Sequence, residues 1–233
     1  MYEHVRENLL KINEDIDETV LKCGRNKGNV SLLAVSKFHP VDAVFEAISA
    51  GQMKFGENRV QEAAEKFSEV YKTHPETELH IIGHLQSNKV KKAVSVASMI
   101  ESVDSLDLLK EIEKQCSKIN KKIDVLLELH TAEDSKTGFN SEEELKLALE
   151  FLKTSSFITP KGLMTMAPLT EDEILIRNSF STLRNTLESL NKGFPEFKMK
   201  ELSMGMSNDY KIAIEEGSTQ IRIGTAIFGQ REY

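Results

Sequence analysis

Val30–Lys37 reads VSLLAVSK. A short apolar run bounded by turn residues predicts a strand buried on both faces, as parallel strands are. Lys37 ends this run in register with Leu33 and Val35, so the three side chains face one side of the sheet. Val41–Ala50 then carries helical spacing and is closed by Gly51, and Lys54–Glu57 predicts a second short strand. Strand, helix, strand in this order predicts parallel pairing through a helical crossover.

The alternation continues outward to the end of the chain. Strands are expected at Leu79–Gly83, Met99–Val103, Ile123–His130, Lys161–Ala167, Glu201–Met206 and Gln220–Ala226. Helices are expected at Asn58–Lys72, Ser87–Ala97, Leu106–Ile119, Ser141–Lys153, Glu171–Leu190 and Asp209–Glu216. Ser141 and Glu144 form a capping-box pattern at one of these helix starts. Before the first strand, Val5, Leu9, Ile12, Ile16 and Val20 mark an amphipathic helix over Tyr2–Cys23, with Gly24 as its C-cap. Eight βα units in this length fit a (β/α)8 TIM-type barrel. No long helix follows the last strand, so the N-terminal helix is expected to cover that side. The alternative is an open doubly wound sheet, but the chain has no G-x-G-x-x-G after the first strand and no G-x-x-x-x-G-K-[ST] anywhere. No linker or composition break divides residues 1–233, which predicts a single domain.

Composition narrows the function. Of 233 residues, 39% are hydrophobic and 29% charged, with a net charge of −7. Without a basic block, binding to a nucleic-acid backbone is not expected. No apolar run approaches a membrane span, and no signal-peptide core opens the chain. The two cysteines, Cys23 and Cys116, show no metal or redox spacing, which suits a reducing cytoplasm.

In such a barrel, chemistry sits at the C-terminal ends of the strands. Lys37 falls there, whereas Lys54 and Lys161 open their strands at the opposite face. A lysine desolvated at a strand end is the usual nucleophile for Schiff-base chemistry, although a solvated strand-end lysine is the plain alternative. Ser203-Met204-Gly205-Met206-Ser207, before a helix, can aim backbone N–H groups at a phosphate, and Gly224-Thr225 adds a second donor loop. Barrels often bind phosphate with the loops after strands seven and eight. Arg222 sits on a buried strand, where an unpaired guanidinium is not expected. An aldehyde trap, a phosphate cradle and a buried arginine together suggest pyridoxal 5′-phosphate (PLP). His80 and His84 lie ~13 Å apart if both are on a strand, so no shared metal ion is expected. Glu128 and His130 face the same side of strand five and are candidates for a buried pair.

The stretches Ala34–Lys37, Phe55–Asn58, His80–Lys89, Gly162–Ala167, Leu202–Asp209 and Ile221–Gly229 resemble the pyridoxal-phosphate homeostasis protein family, which is similar in fold to the N-terminal domain of alanine racemase. The resemblance runs from the first strand to the end. It implies that Lys37 carries PLP as a Schiff base. It also implies that Ser207, Gly224, Thr225 and the backbone near Met206 hold the phosphate, with Ser203 in the same loop. Arg222 would face the pyridine nitrogen, and Asn58 and Met166 would line the ring pocket.

Two functions follow: a carrier that stores or hands on PLP, and a slow amino-acid racemase or other PLP enzyme. Two-base racemisation needs an acid–base group on each face of the cofactor. The chain ends soon after its last strand, so a second domain supplying that group is not expected. A ring nitrogen facing Arg222 stays largely unprotonated and is a weak electron sink. Both points favour the carrier, with no established catalytic residue; a cytoplasmic monomer is expected, with apo PLP-dependent enzymes as its recipients.

Overall fold

The computed structural model describes residues 2–132 and 137–230. Eight parallel strands close into a barrel in sequence order. They are β1 (Ser31–Val35), β2 (Lys54–Glu57), β3 (Glu78–Ile81), β4 (Met99–Val103), β5 (Ile123–Glu128), β6 (Ile158–Met164), β7 (Glu201–Ser203) and β8 (Gln220–Ile223). Closure comes from β8 lying against β1, with Leu33 opposite Arg222 and Ala34 opposite Ile223. The helices are α1 (Glu3–Lys22), α2 (Val41–Ser49), α3 (Val60–Thr73), α4 (Val90–Val96), α5 (Leu106–Ile119), α6 (Glu142–Leu152), α7 (Glu173–Gly193), α8 (Tyr210–Glu215) and the single turn α9 (Thr225–Phe228). This is the expected TIM-type barrel. None of these helices is long and apolar enough to cross a membrane.

α1 buries the five positions its spacing marks, Val5, Leu9, Ile12, Ile16 and Val20. It packs on α2, α8 and α9, covering the seam that closes the barrel. Asn8 donates to the Ile227 carbonyl at 3.0 Å, and the Tyr210 hydroxyl donates to Asp15 at 3.0 Å. Ser141 caps α6 by accepting from the Glu144 N–H. The return bond departs from the expected capping box: Glu144 accepts from Asn140 rather than from the cap residue itself.

Six strands end two or three residues earlier than their apolar pattern suggests, at Val35, Ile81, Glu128, Met164, Ser203 and Ile223. The residues just past each end leave the ladder to enter loops, yet several stay buried or half-buried around a pocket, so apolarity alone does not mark the boundary. β6 errs at its other end as well. It starts at Ile158, and Lys161 lies within the strand, paired with Asp124 at 3.3 Å, instead of opening it. The β5–β6 register shifts between Val125 and Leu126, opposite Pro160 and Gly162. A proline, which has no N–H for the ladder, is tolerated at such a bulge.

The outward faces of the strands and the inner faces of the helices form the main apolar core. Met99, Leu126 and Met164 form a separate small cluster. Alternation places Leu126 and Met164 on the inward faces of β5 and β6. Much of the remaining interior is polar. The Ser203 hydroxyl donates to Glu101 at 2.6 Å, a bond between the non-adjacent strands β7 and β4 that must cross the barrel.

Candidate functional site

At the C-terminal end of the barrel a cavity of about 190 Å³ is lined by Val35, Lys37, His39, Asn58, Ile82, Met166, Met206, Ser207, Arg222, Gly224 and Thr225. Eight of the sequence-derived residues thus meet in one pocket. Ser203 does not line it; the side chain is fully buried beneath Arg222.

Lys37 lies two residues beyond β1, in a turn, and is half-buried rather than on a buried strand. The turn sets its backbone. Phe38, the next residue, has φ +66°, a left-handed conformation that costs a bulky residue roughly 1–2 kcal/mol. Its N–H donates to Glu62 at 2.6 Å, and Arg59 lies over its ring at 5.1 Å.

Arg222 enters from β8 and is 5% exposed. Its Nη1 donates to the carbonyl and the hydroxyl of Ser203, each at 2.7 Å, and its Nη2 donates to the Thr165 carbonyl at 2.8 Å. Three of the five N–H donors of a guanidinium are thereby used, leaving donors for an acceptor in the pocket. Burial pushes the Arg222 pKa down, while the acids Glu101, Asp209 and Glu128 oppose that.

The two loops are built differently. After β8, Gly224 carries no side chain where a Cβ would stand 3.0 Å from the Val35 carbonyl. Its neighbours Thr225 and Ala226 open α9, where first-turn N–H groups have no acceptor within the helix. After β7, the Met206 N–H donates to Asp209 Oδ1 at 2.5 Å. The Met206 N–H is thus taken within its own loop. Ser207 remains in the lining.

His80 and His84 contact different acids, Glu101 at 2.6 Å and Asp104 at 2.9 Å. No group of three metal-ligating side chains occurs among the described residues. Glu128 and His130 do not pair: Glu128 accepts from Thr137 at 2.7 Å, and His130 contacts the Ala132 carbonyl. Burial pushes the Glu128 carboxyl pKa up. Cys116 is buried and Cys23 half-buried.

The sequence profile of the alanine racemase N-terminal domain matches residues 12–232. The pyridoxal phosphate homeostasis protein of Pasteurella multocida is 36% identical over 98% of this chain and 98% of its own length. The chain belongs to the pyridoxal phosphate homeostasis protein family. A family member from Mus musculus is 38% identical over 97% of this chain and 86% of its own. Among solved structures, Synechococcus elongatus PipY with PLP bound superposes with a TM-score of 0.85 at 34% identity, over 97% of this chain and all of that one. Alanine racemase from E. faecalis shares the fold, with a TM-score of 0.71 at 16% identity, and this chain covers 58% of it.

The structure gives partners to residues for which the sequence suggests no role. His39 lines the pocket and stacks on Phe228 at 5.2 Å between ring centroids. Glu57, fully buried, accepts from Ser36 at 2.8 Å and from Lys66 at 2.7 Å. Glu101, also fully buried, is contacted by His80, Ser203 and Gln220. The one available signal was a charged residue within each short apolar strand, Glu57 in β2 and Glu101 in β4. Their partners are set by closure of the barrel.

Proposed function

We propose that this chain binds PLP at Lys37 and holds it, without appreciable turnover of amino acids. The observation that carries this reading is the convergence of the Lys37 amine and the buried Arg222 guanidinium on one pocket with Ser207, Gly224 and Thr225. The donor set suits the cofactor: a primary amine for an aldehyde, hydroxyl and backbone N–H donors for a phosphate, and spare guanidinium N–H groups for a ring nitrogen. When bound, PLP supplies an aldehyde that condenses with a primary amine, releasing water, and a ring that withdraws electrons best with its nitrogen protonated.

Lys37 presents the amine from a turn whose backbone is held on either side. Ser207, Thr225 and the N–H groups at the start of α9 supply the phosphate donors. Arg222 donates hydrogen bonds but accepts none, and it keeps its own protons, so it satisfies a ring lone pair without protonating it. That arrangement favours storage of the aldehyde over carbanion chemistry. Relatives named for PLP homeostasis support the same role, and apo PLP-dependent enzymes are the natural recipients. The runner-up, slow racemase-type exchange, draws on His39, whose imidazole lines the pocket beside the Lys37 amine. The test pairs transfer of PLP to an apo-enzyme with deuterium uptake at the α-carbon of L- and D-amino acids. Transfer with slow exchange supports the carrier, and exchange at ordinary enzymatic rates, roughly 1–10³ per second, supports the enzyme.

A further inference from the structure

The two residues flanking Lys37 are gripped by one ion cluster, buried at Lys66 and Glu57 and half-buried at Glu62. Lys66, on α3, is 8% exposed, which is unusual for lysine. Its ammonium donates to the Ser36 carbonyl at 2.8 Å, to Glu57 at 2.7 Å and to Glu62 at 3.2 Å. Glu57, at the end of β2, accepts in turn from the Ser36 hydroxyl at 2.8 Å. Glu62, one turn before Lys66, accepts from the Phe38 N–H at 2.6 Å. Ser36 is thus fixed through its hydroxyl and its carbonyl, and Phe38 through its N–H, with Lys37 between them. A bulky residue at φ +66° persists only where its surroundings hold it there, and Glu62 does so.

We propose that Lys66, with Glu57 and Glu62, is the positioning group for Lys37: it sets the 36–38 turn so that the lysine amine is presented at the geometry attack on an aldehyde requires. None of the three lines the pocket. This inference rests on the proposed role of Lys37. It differs from a stabilising role, because only ligands that bond to the Lys37 amine should sense the cluster.

The experiment compares PLP with pyridoxine 5′-phosphate, which carries an alcohol in place of the aldehyde. Wild-type protein should prefer PLP, and Lys37→Ala should abolish that preference. Lys66→Met should weaken PLP binding by about tenfold to a hundredfold, the scale expected when a reacting group is misplaced by about 1 Å. Binding of the alcohol should be unchanged. In the Lys37→Ala background, Lys66→Met should add no further loss of PLP binding. Equal losses for both ligands would make the cluster merely structural and overturn the proposal, as would full retention of PLP preference. If Lys66→Met does not fold, Glu62→Ala decides: it frees the Phe38 N–H, keeps the Lys66–Glu57 pair, and should show the same selective loss. A wild type without preference for PLP sinks the Lys37 reading and the clamp together. A preference that survives Lys66→Met or Glu62→Ala sinks the clamp alone.

Discussion

Arg222 and Ser203 are joined twice: the guanidinium Nη1 donates to the serine carbonyl and to the serine hydroxyl, each at 2.7 Å. The same hydroxyl donates to Glu101 at 2.6 Å and accepts from Gln220 at 3.2 Å. The orientation of the pocket guanidinium is therefore tied to the polar interior of the barrel. Removing the serine oxygen strips a fully buried carboxylate of one donor. Ser203→Ala should cost about 1–3 kcal/mol in a urea melt. It should also lower PLP affinity, because Arg222 loses one of its three protein acceptors. An unchanged melt and unchanged affinity would show the network to be incidental.

Lys37→Ala should leave the melting temperature nearly unchanged, since it removes a half-buried cation from a turn held by its neighbours. Purified wild-type protein incubated with PLP and then with borohydride should carry a pyridoxyl group on Lys37, read by peptide mass mapping. The variant should carry none there and should still bind PLP weakly through the phosphate donors. A pyridoxyl group on a different lysine of the wild type refutes the assignment.

Thr225→Val and Ser207→Ala should each weaken PLP binding about tenfold or more, the worth of one hydrogen bond to a charged group, roughly 1.5–3 kcal/mol. Pyridoxal, which lacks the phosphate, should bind poorly to wild type and be indifferent to either change. Equal wild-type affinity for pyridoxal and PLP, by equilibrium dialysis, would place the phosphate elsewhere.

Arg222 limits carbanion chemistry in this reading, and Arg222→Glu provides the test, with a structural cost. The new carboxylate would join a buried site already holding Glu101, so the variant should lose several kcal/mol of stability, on the scale of 3–5 for breaking a buried ion pair. In whatever fraction stays folded, deuterium exchange at the amino-acid α-carbon should rise above wild type. A folded variant with no rise would mean that the ring nitrogen is not what holds the chemistry back.

The buried pair His80–Glu101 predicts a pH dependence of stability. Burial pulls the His80 pKa down, but the hydrogen bond to Glu101 and the nearby Glu78 carboxylate, 3.6 Å away, outweigh it and raise it from 6.5 to about 9. A group whose folded pKa is raised contributes stability fully present below its unfolded pKa, here 6.5, and lost as pH climbs through about 9. Glu101 is also pulled two ways: burial raises its pKa, and the bonds from His80 with the nearby Arg222 lower it overall. Its contribution is present above the ordinary carboxylate range and fades in acid. Melting temperature should therefore fall by several degrees between pH 6.5 and 9, at about 2–4 °C per kcal/mol for a chain of this size. His80→Gln should flatten that slope while lowering the maximum.

Much of the barrel is legible in the sequence because burial leaves a local mark. Val5, Leu9, Ile12, Ile16 and Val20 fall on one helical face wherever the helix packs, and β2, β4 and α5 have the boundaries their apolar pattern gives. Lys37, Arg222, Ser207, Gly224 and Thr225 stand out because each is a polar or glycine residue at the end of an apolar strand. Strand ends are not legible where apolar residues past the ladder, such as Met166 and Met206, line the pocket instead.

What the sequence by itself determined is the alternation of strands and helices, and with it the end of the barrel where the chemistry gathers. Only tertiary structure decided which side chains meet. Glu101 finds Ser203 across 102 positions of sequence and Gln220 across 119, and Lys66 reaches back 30 to Ser36. It also decided that the Met206 N–H is taken by Asp209 and that Ser203 lies under Arg222 rather than in the pocket. Hydrophobic periodicity records whether a residue is turned toward the core. It is silent on partners, because a buried charge is satisfied by whichever distant donor the closure of the sheet brings within about 3 Å.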